Sequence, residues 1–392
     1  MSAEPSLLAD VLADCSPPAV ESLRPVGPRE AERRARAAFL GRLCGCMLGK
    51  PMEGHAERAT LQAAGERAGE WPLRFYVTES FLDGLPGRHP SWKETVRGRL
   101  RYVAPDDDVN YLLLALTVLE EKGAGFTRDD LRRAWLVNLA PGWTWGPERE
   151  FLSRAALATR GGAAEQEPVS DDVLSAWIAE QQAAPEHCGA VIRADAYGYA
   201  CMGDPGRAAA MAWRDAGMTH RGAGLYASMF IAAAIAAAPV VTDRLGIFDI
   251  GLRCVPRHST FRDVMADCLR TVRAAGTWQD AHESIHAAYA RYGFCQVYQE
   301  LGFVMNSVRF ARDVGEGICI QVSQGLDTDS FGATTGSLLG ALLGRVPRAW
   351  LRPFHNRILC TLAQFHEQDL SRVTARVGRL PLLARGTRGP AS

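Results

Sequence analysis

The run DTDSFGATTGSLLGALLG, Asp327 to Gly344, sets two patterns end to end. Oxygen donors crowd its first four positions, and glycine then recurs at Gly332, Gly336, Gly340 and Gly344. A spacing of four lays those glycines along one face of a helix from Phe331 to Leu343, a smooth strip against which a second helix packs closely. The loop ahead of it, with Asp327, Asp329 and Ser330, is thereby held against a neighbour. A second acidic run, Asp106-Asp107-Asp108, stands before another apolar helix, Val109 to Lys122, stopped by Gly123. One Asp or Ser is enough to cap a helix, and each of these places has several. Adjacent carboxylates repel and are costly to desolvate, and no Lys or Arg stands immediately beside either run. The pattern predicts a hard divalent cation gripped by oxygen ligands from both runs.

The rest of the chain reads as helix. Windows run from Arg29 through Leu48, with Gly49 and Pro51 as stops, then over Gly222–Ala238, Phe261–Ala275, Trp278–Tyr292, Phe303–Val314 and Leu351–Gln368, with shorter ones between. No run of alternating β-branched residues and no repeat of 20–50 residues is present, so the fold class is all-α. Three parts are expected: a proline-broken accessory segment over 1–28, one compact domain over 29–376, and a polar, flexible tail over 377–392. At 392 residues, 47% of them hydrophobic, the chain can bury roughly three quarters of its unfolded surface. Acidic and basic residues balance at 44 each, which gives no field toward nucleic acid or an anionic membrane. Only Lys50, Lys93 and Lys122 are lysines among the basic residues, read as a compositional bias toward arginine. Ten irregularly spaced cysteines point to reduced thiols in a cytoplasmic protein, and Met1 to Ala13 lacks the basic start of a secretory signal. The uncharged stretch from Gly222 to Thr242 is Ala- and Gly-rich and reads as a helix buried in a protein core, not a membrane span.

Four short motifs in register resemble the ADP-ribosylglycohydrolase family. Gln324 to Ala333 is similar to its G-G-D-T-D-T/S-x-A/G-A loop, and Gly45 to Gly54 to its G-D-x-L-G-x-P-x-E-G motif. Pro105 to Asp108 stands where the family carries T-D-D-T or D-D-D; Gly189 to Arg193, Gly203 to Pro205 and Thr219-His220 follow in the same order. The resemblance implies a compact helical domain with two divalent metal ions, Mg or Mn, in a cleft. It implies hydrolysis of the glycosidic bond at the anomeric carbon of ADP-ribose, from an ADP-ribosylated protein or a small ribosylated molecule. Carried over, the metal ligands are Asp106, Asp107, Asp108, Asp327, Asp329 and Ser330, with Thr328 donating inside its loop. Glu53, Asp107 and Asp327 are the catalytic candidates, Glu53 as metal ligand or general base. Gly189, Arg193 and His220 are the substrate-binding candidates, with backbone at Gly189 approaching a diphosphate and Arg193 neutralising it.

Departures accompany the match. Cys46 replaces an aspartate, Asp106 a threonine, Val109 a hydroxyl residue and Leu326 the second loop glycine; Gln296, Tyr298, Gln299 and Glu300 stand where members carry a His/Asn segment. They keep two alternatives open: the same chemistry on a small ribosylated metabolite in a specialised pathway, or a catalytically silent ADP-ribose-binding protein. His282-Glu283-Ser284-Ile285-His286 is a literal H-E-x-x-H without a third zinc ligand in context, and reads as part of an amphipathic helix. Trp143 and Trp145 are assigned to core or loop packing, with stacking on a substrate ring as the alternative.

Overall fold

The computed structural model describes residues 5, 7–54, 56–159, 167–181 and 186–385. Among these residues the chain is built from α-helices, short 3-10 turns and loops, with isolated β-bridges and no strand.

Two helices form its axis. Pro28–Gly49 and Thr328–Leu343 are buried along most of their length and cross at a seam made of glycine. A Cβ placed on Gly41 would lie 2.1 Å from the Gly336 carbonyl oxygen, and one on Gly45 only 1.9 Å from that of Gly332. Farther along, Gly340 faces the Ala37 carbonyl and Gly49 faces that of Thr328. The stripe seen in the sequence thus meets a second one, Gly41-Gly45-Gly49, and backbone packs on backbone. Gly344 has a different job: at φ 63° it ends its helix in the left-handed region.

The helix Gly222–Ala237 is buried throughout and lies in the core beside Pro205–Ala216. No helix among the described residues is long and apolar enough to cross a membrane. Near the N-terminus, Leu8–Ala13 forms a short helix whose Val11 is buried against the domain.

Three expected boundaries move. The window Phe303–Val314 is two helices, Val297–Phe310 and Val314–Ser323, because Asp313 caps the second by accepting the Glu316 amide at 2.9 Å. The window Leu351–Gln368 is not a helix. A 3-10 turn at Arg352–Phe354 contains Pro353, and His355 and Asn356 then take left-handed φ values of 46° and 58°. The chain stays extended enough to bridge Val103 with Ile358 and Arg357 with Asp369, and helix resumes over Leu370–Arg385. That helix runs through the supposed tail beyond Arg376, with Val377 and Leu380 fully buried; residues 386–392 lie outside the described part.

Candidate active site

The seam brings two helix N-termini together. Asp106 caps the helix Asp107–Lys122, its Oδ1 accepting the Asp108 amide at 2.8 Å. Asp327 caps Thr328–Leu343 through the Ser330 amide at 3.3 Å, and Asp329 accepts the same amide at 3.0 Å. Across the gap, Ser330 Oγ donates to Asp108 Oδ2 at 3.1 Å. The Thr328 hydroxyl reaches outside its own loop and donates to the Gly49 carbonyl at 2.9 Å, pinning loop to seam. Glu300 holds the loop from the other side, accepting the Asp327 amide at 2.8 Å. Glu300, one of the residues standing where members carry a His/Asn segment, therefore braces the acidic loop.

Counter-charges missing from the sequence neighbourhood come from the seam helix and its end. Arg42, fully buried, donates to Asp108 Oδ1 at 2.8 Å and to Asp195 Oδ2 at 2.7 Å. Lys50 Nζ pairs with Asp106 Oδ2. Among the described residues Glu53, Asp107, Asp327 and Asp329 remain without an arginine or lysine ion pair, and they line one cavity of about 790 Å³ with Lys50. Repulsion within the cluster is visible in the titration of Glu53, Asp107 and Asp327. The charge of Asp329, with burial and Asp327 behind it, pushes the Glu53 carboxyl up to about 10 against the pull of Lys50. Desolvation and then Asp329 raise Asp107 to about 6. Burial first and Asp329 second hold Asp327 well above the usual carboxylate range. Four carboxylates converging on one cavity are a donor set suited to a hard divalent cation.

Thiols complete one wall. Cys188 and Cys295 both direct Sγ at Asp327 Oδ2, at 3.2 and 3.4 Å, and the Cys188 amide donates to the Cys295 carbonyl at 2.9 Å. Nothing in the spacing of two cysteines so far apart foretold this pairing. Cys46 lies within 4.8 Å of oxygens of Asp106 and Asp108, placing a thiol beside that side of the cluster.

Not every expected residue reaches the cavity. Gly189 lines it, but Arg193 and His220 do not. Arg193 is 1% exposed and its donors are spent inside the protein, on Glu148 Oε1 at 2.6 Å, the Gly189 carbonyl at 3.0 Å, Asp215 and Thr219. Its guanidinium also lies 5.1 Å from the Trp135 ring centroid. A diphosphate cannot displace that network cheaply, so Arg193 is a structural anchor. His220 is buried with Nδ1 on the Thr219 hydroxyl at 2.7 Å, and burial first, then the nearby Arg193 charge, keep it neutral. Trp143 and Trp145 are 44% and 54% exposed at the cavity wall, contrary to their assignment to packing. In the H-E-x-x-H segment His282 packs on Phe303, His286 faces Gln299, and Glu283 pairs with Arg58 at 3.1 Å on the surface.

Comparison with known proteins agrees with this architecture. A chain of an ADP-ribosylglycohydrolase-related protein complex superimposes with a TM-score of 0.54 at 19% identity, covering 91% of this chain and 99% of that one. At that identity the likeness shows the fold alone. No curated protein gives a significant match. The ADP-ribosylglycohydrolase family model, by contrast, matches residues 28–379, from the first residue of the seam helix into the last helix. The chain belongs to the ADP-ribosylglycohydrolase family, whose members are metal-dependent glycohydrolases acting on ADP-ribosylated substrates.

Proposed function

We propose that this protein hydrolyses the glycosidic bond of an ADP-ribosyl, or related ribosyl, conjugate, with Mg or Mn at its carboxylate cluster. The observation that carries the reading is the convergence of Glu53, Asp107, Asp327 and Asp329 on one cavity large enough for a nucleotide-sized ligand. When bound, a hard cation would offset the repulsion that keeps Glu53 protonated and supply Lewis acidity toward a sugar oxygen or a water. Glu53, half-buried and facing the cavity, takes the proton of the attacking water while the bond to the aglycone breaks through an oxocarbenium-like carbon. Asp107 and Asp327, delivered by two helix N-termini, orient the water and the ribose hydroxyls. Trp143 and Trp145 offer ring faces to an adenine at the cavity wall. Lys50 is the only Lys or Arg among the described residues lining the cavity, so a diphosphate relies on backbone amides near Gly142, Gly146 and Gly189.

Release of ADP-ribose from ADP-ribosyl-arginine, with Mn²⁺ or Mg²⁺ present and lost in Asp327→Asn, is the expected result. Turnover confined to free ribosylated metabolites moves the substrate to small molecules. ADP-ribose binding, seen as a raised melting temperature without turnover of either substrate, refutes the enzyme reading.

A further inference from the structure

Lys50 stands out on three independent grounds. It is one of three lysines in a chain with 44 basic residues, and it follows the last seam glycine directly. It is 5% exposed, in a place where lysine is rarely buried unless paired. Its amine pairs with Asp106 and it lines the same cavity as Asp329, Asp107 and Glu53, so it reaches into the acidic cluster itself. The Pro51 ring behind it and the Gly49 carbonyl, fastened by Thr328, fix the backbone from which the side chain extends.

The cluster then divides into two halves. On one side Asp106 has Lys50 on Oδ2 and the Asp108 amide on Oδ1, while Asp108 has Arg42 on Oδ1 and Ser330 on Oδ2. Every oxygen of that half is engaged by a protein donor, and its remaining neighbour is the soft thiol of Cys46. On the other side Glu53, Asp107, Asp327 and Asp329 have no arginine or lysine ion pair among the described residues; the donors on Asp327 and Asp329 are the neutral Ser330 amide and the Cys188 and Cys295 thiols. One half is neutralised by the chain and the other is left for an added cation.

We propose that the Lys50 ammonium is a built-in cation, so that the cluster takes a single divalent ion where the family resemblance implies two, and that removing the ammonium opens a second ion position beside Asp106. The inference rests on the metal-dependent reading of the same site. A fixed positive charge and a dication compete for the same carboxylates, and the tethered one is always present.

The test is Mn²⁺ stoichiometry on the full chain, by titration calorimetry and by the loss of free-ion paramagnetic signal. Wild type takes up one ion per chain, Lys50→Met takes up two, and Lys50→Arg, which keeps the charge, stays at one. Two ions in the wild type overturn the proposal whether or not a variant folds. Equal stoichiometry in wild type and Lys50→Met, with an unchanged far-UV spectrum, overturns it as well. No uptake by any of the three proteins removes the metal reading along with it, an outcome distinct from uptake that ignores Lys50.

Discussion

Adding one methyl group at Gly45 tests whether the glycine seam governs both stability and the site. An alanine Cβ there starts 1.9 Å from the Gly332 carbonyl oxygen and cannot rest closer than about 3.0 Å, so the helices must part by at least about 1.1 Å. Both contacting groups are main chain within buried helices, and no side-chain rotation relieves them. Overpacking of this kind costs about 1–3 kcal/mol or somewhat more, and the upper end applies where backbone meets backbone. Alanine's better helix propensity returns about 1 kcal/mol. The net expectation is a loss of about 2 kcal/mol, read as a lower urea midpoint in Gly45→Ala. Because Thr328 to Ser330 open the displaced helix, a shift on the order of 1 Å there lowers turnover on the order of 100-fold. Gly54→Ala is the control: it is exposed, and a Cβ on it meets nothing within 4 Å. Gly45→Ala with the wild-type midpoint and turnover, or a Gly54→Ala loss of equal size, refutes the reasoning.

Two further expectations concern buried side chains that do not line the cavity. Arg193→Met strands Glu148 and Asp215 as buried carboxyls and lowers stability by about 3–5 kcal/mol; a small stability loss joined to weak ADP-ribose binding would instead return Arg193 to the substrate. Burial pushes His282 from 6.5 down to about 4. Between those values the unfolded chain takes up a proton that the folded one resists, so stability is lost as pH falls through 6.5 and levels off below about 4. From pH 7 to pH 5 wild type should lose about 2 kcal/mol more than His282→Gln in urea unfolding. Taking the difference cancels the opposite contribution of the raised site carboxyls, and parallel pH profiles refute the assignment.

The parts of the molecule that sequence foretells are those set by local spacing. Glycines four apart, carboxylates at helix starts and an uncharged Ala-rich run each dictate their own structure, and the matching stripe Gly41-Gly45-Gly49 was equally readable as the partner of the first. The errors fall where spacing says nothing. Apolar periodicity carries through Leu351–Gln368, yet Pro353 and two left-handed residues stop the helix there. Arg193 had the chemistry for a diphosphate, but its acceptors Glu148 and Asp215 come from other segments, and only folding shows its donors to be consumed. Lys50 was visible as a rare lysine, and its meaning lay in Asp106, distant in sequence. Cys188 and Cys295 likewise gain significance only through Asp327.

The electrostatics of the cluster follow from the seam. Each helix N-terminus directs a partial positive charge at the carboxylates in its first turn, a contribution of about 0.3–1 kcal/mol apiece. That is too little to hold six neighbouring carboxyls ionised, as the raised Glu53, Asp107 and Asp327 attest. Full cations are needed, and a flexible lysine would supply one only at a large entropic cost. Because Gly49 meets the Thr328 carbonyl directly, the end of one helix and the start of the other are fixed relative to each other by backbone alone. Lys50 leaves the chain at that junction and Asp329 enters at the same junction, so the packing of Gly49 on the Thr328 carbonyl also sets the distance between ammonium and carboxylate. Packing and charge compensation in this protein are therefore one structural feature, and a substitution that widens the seam should weaken both together.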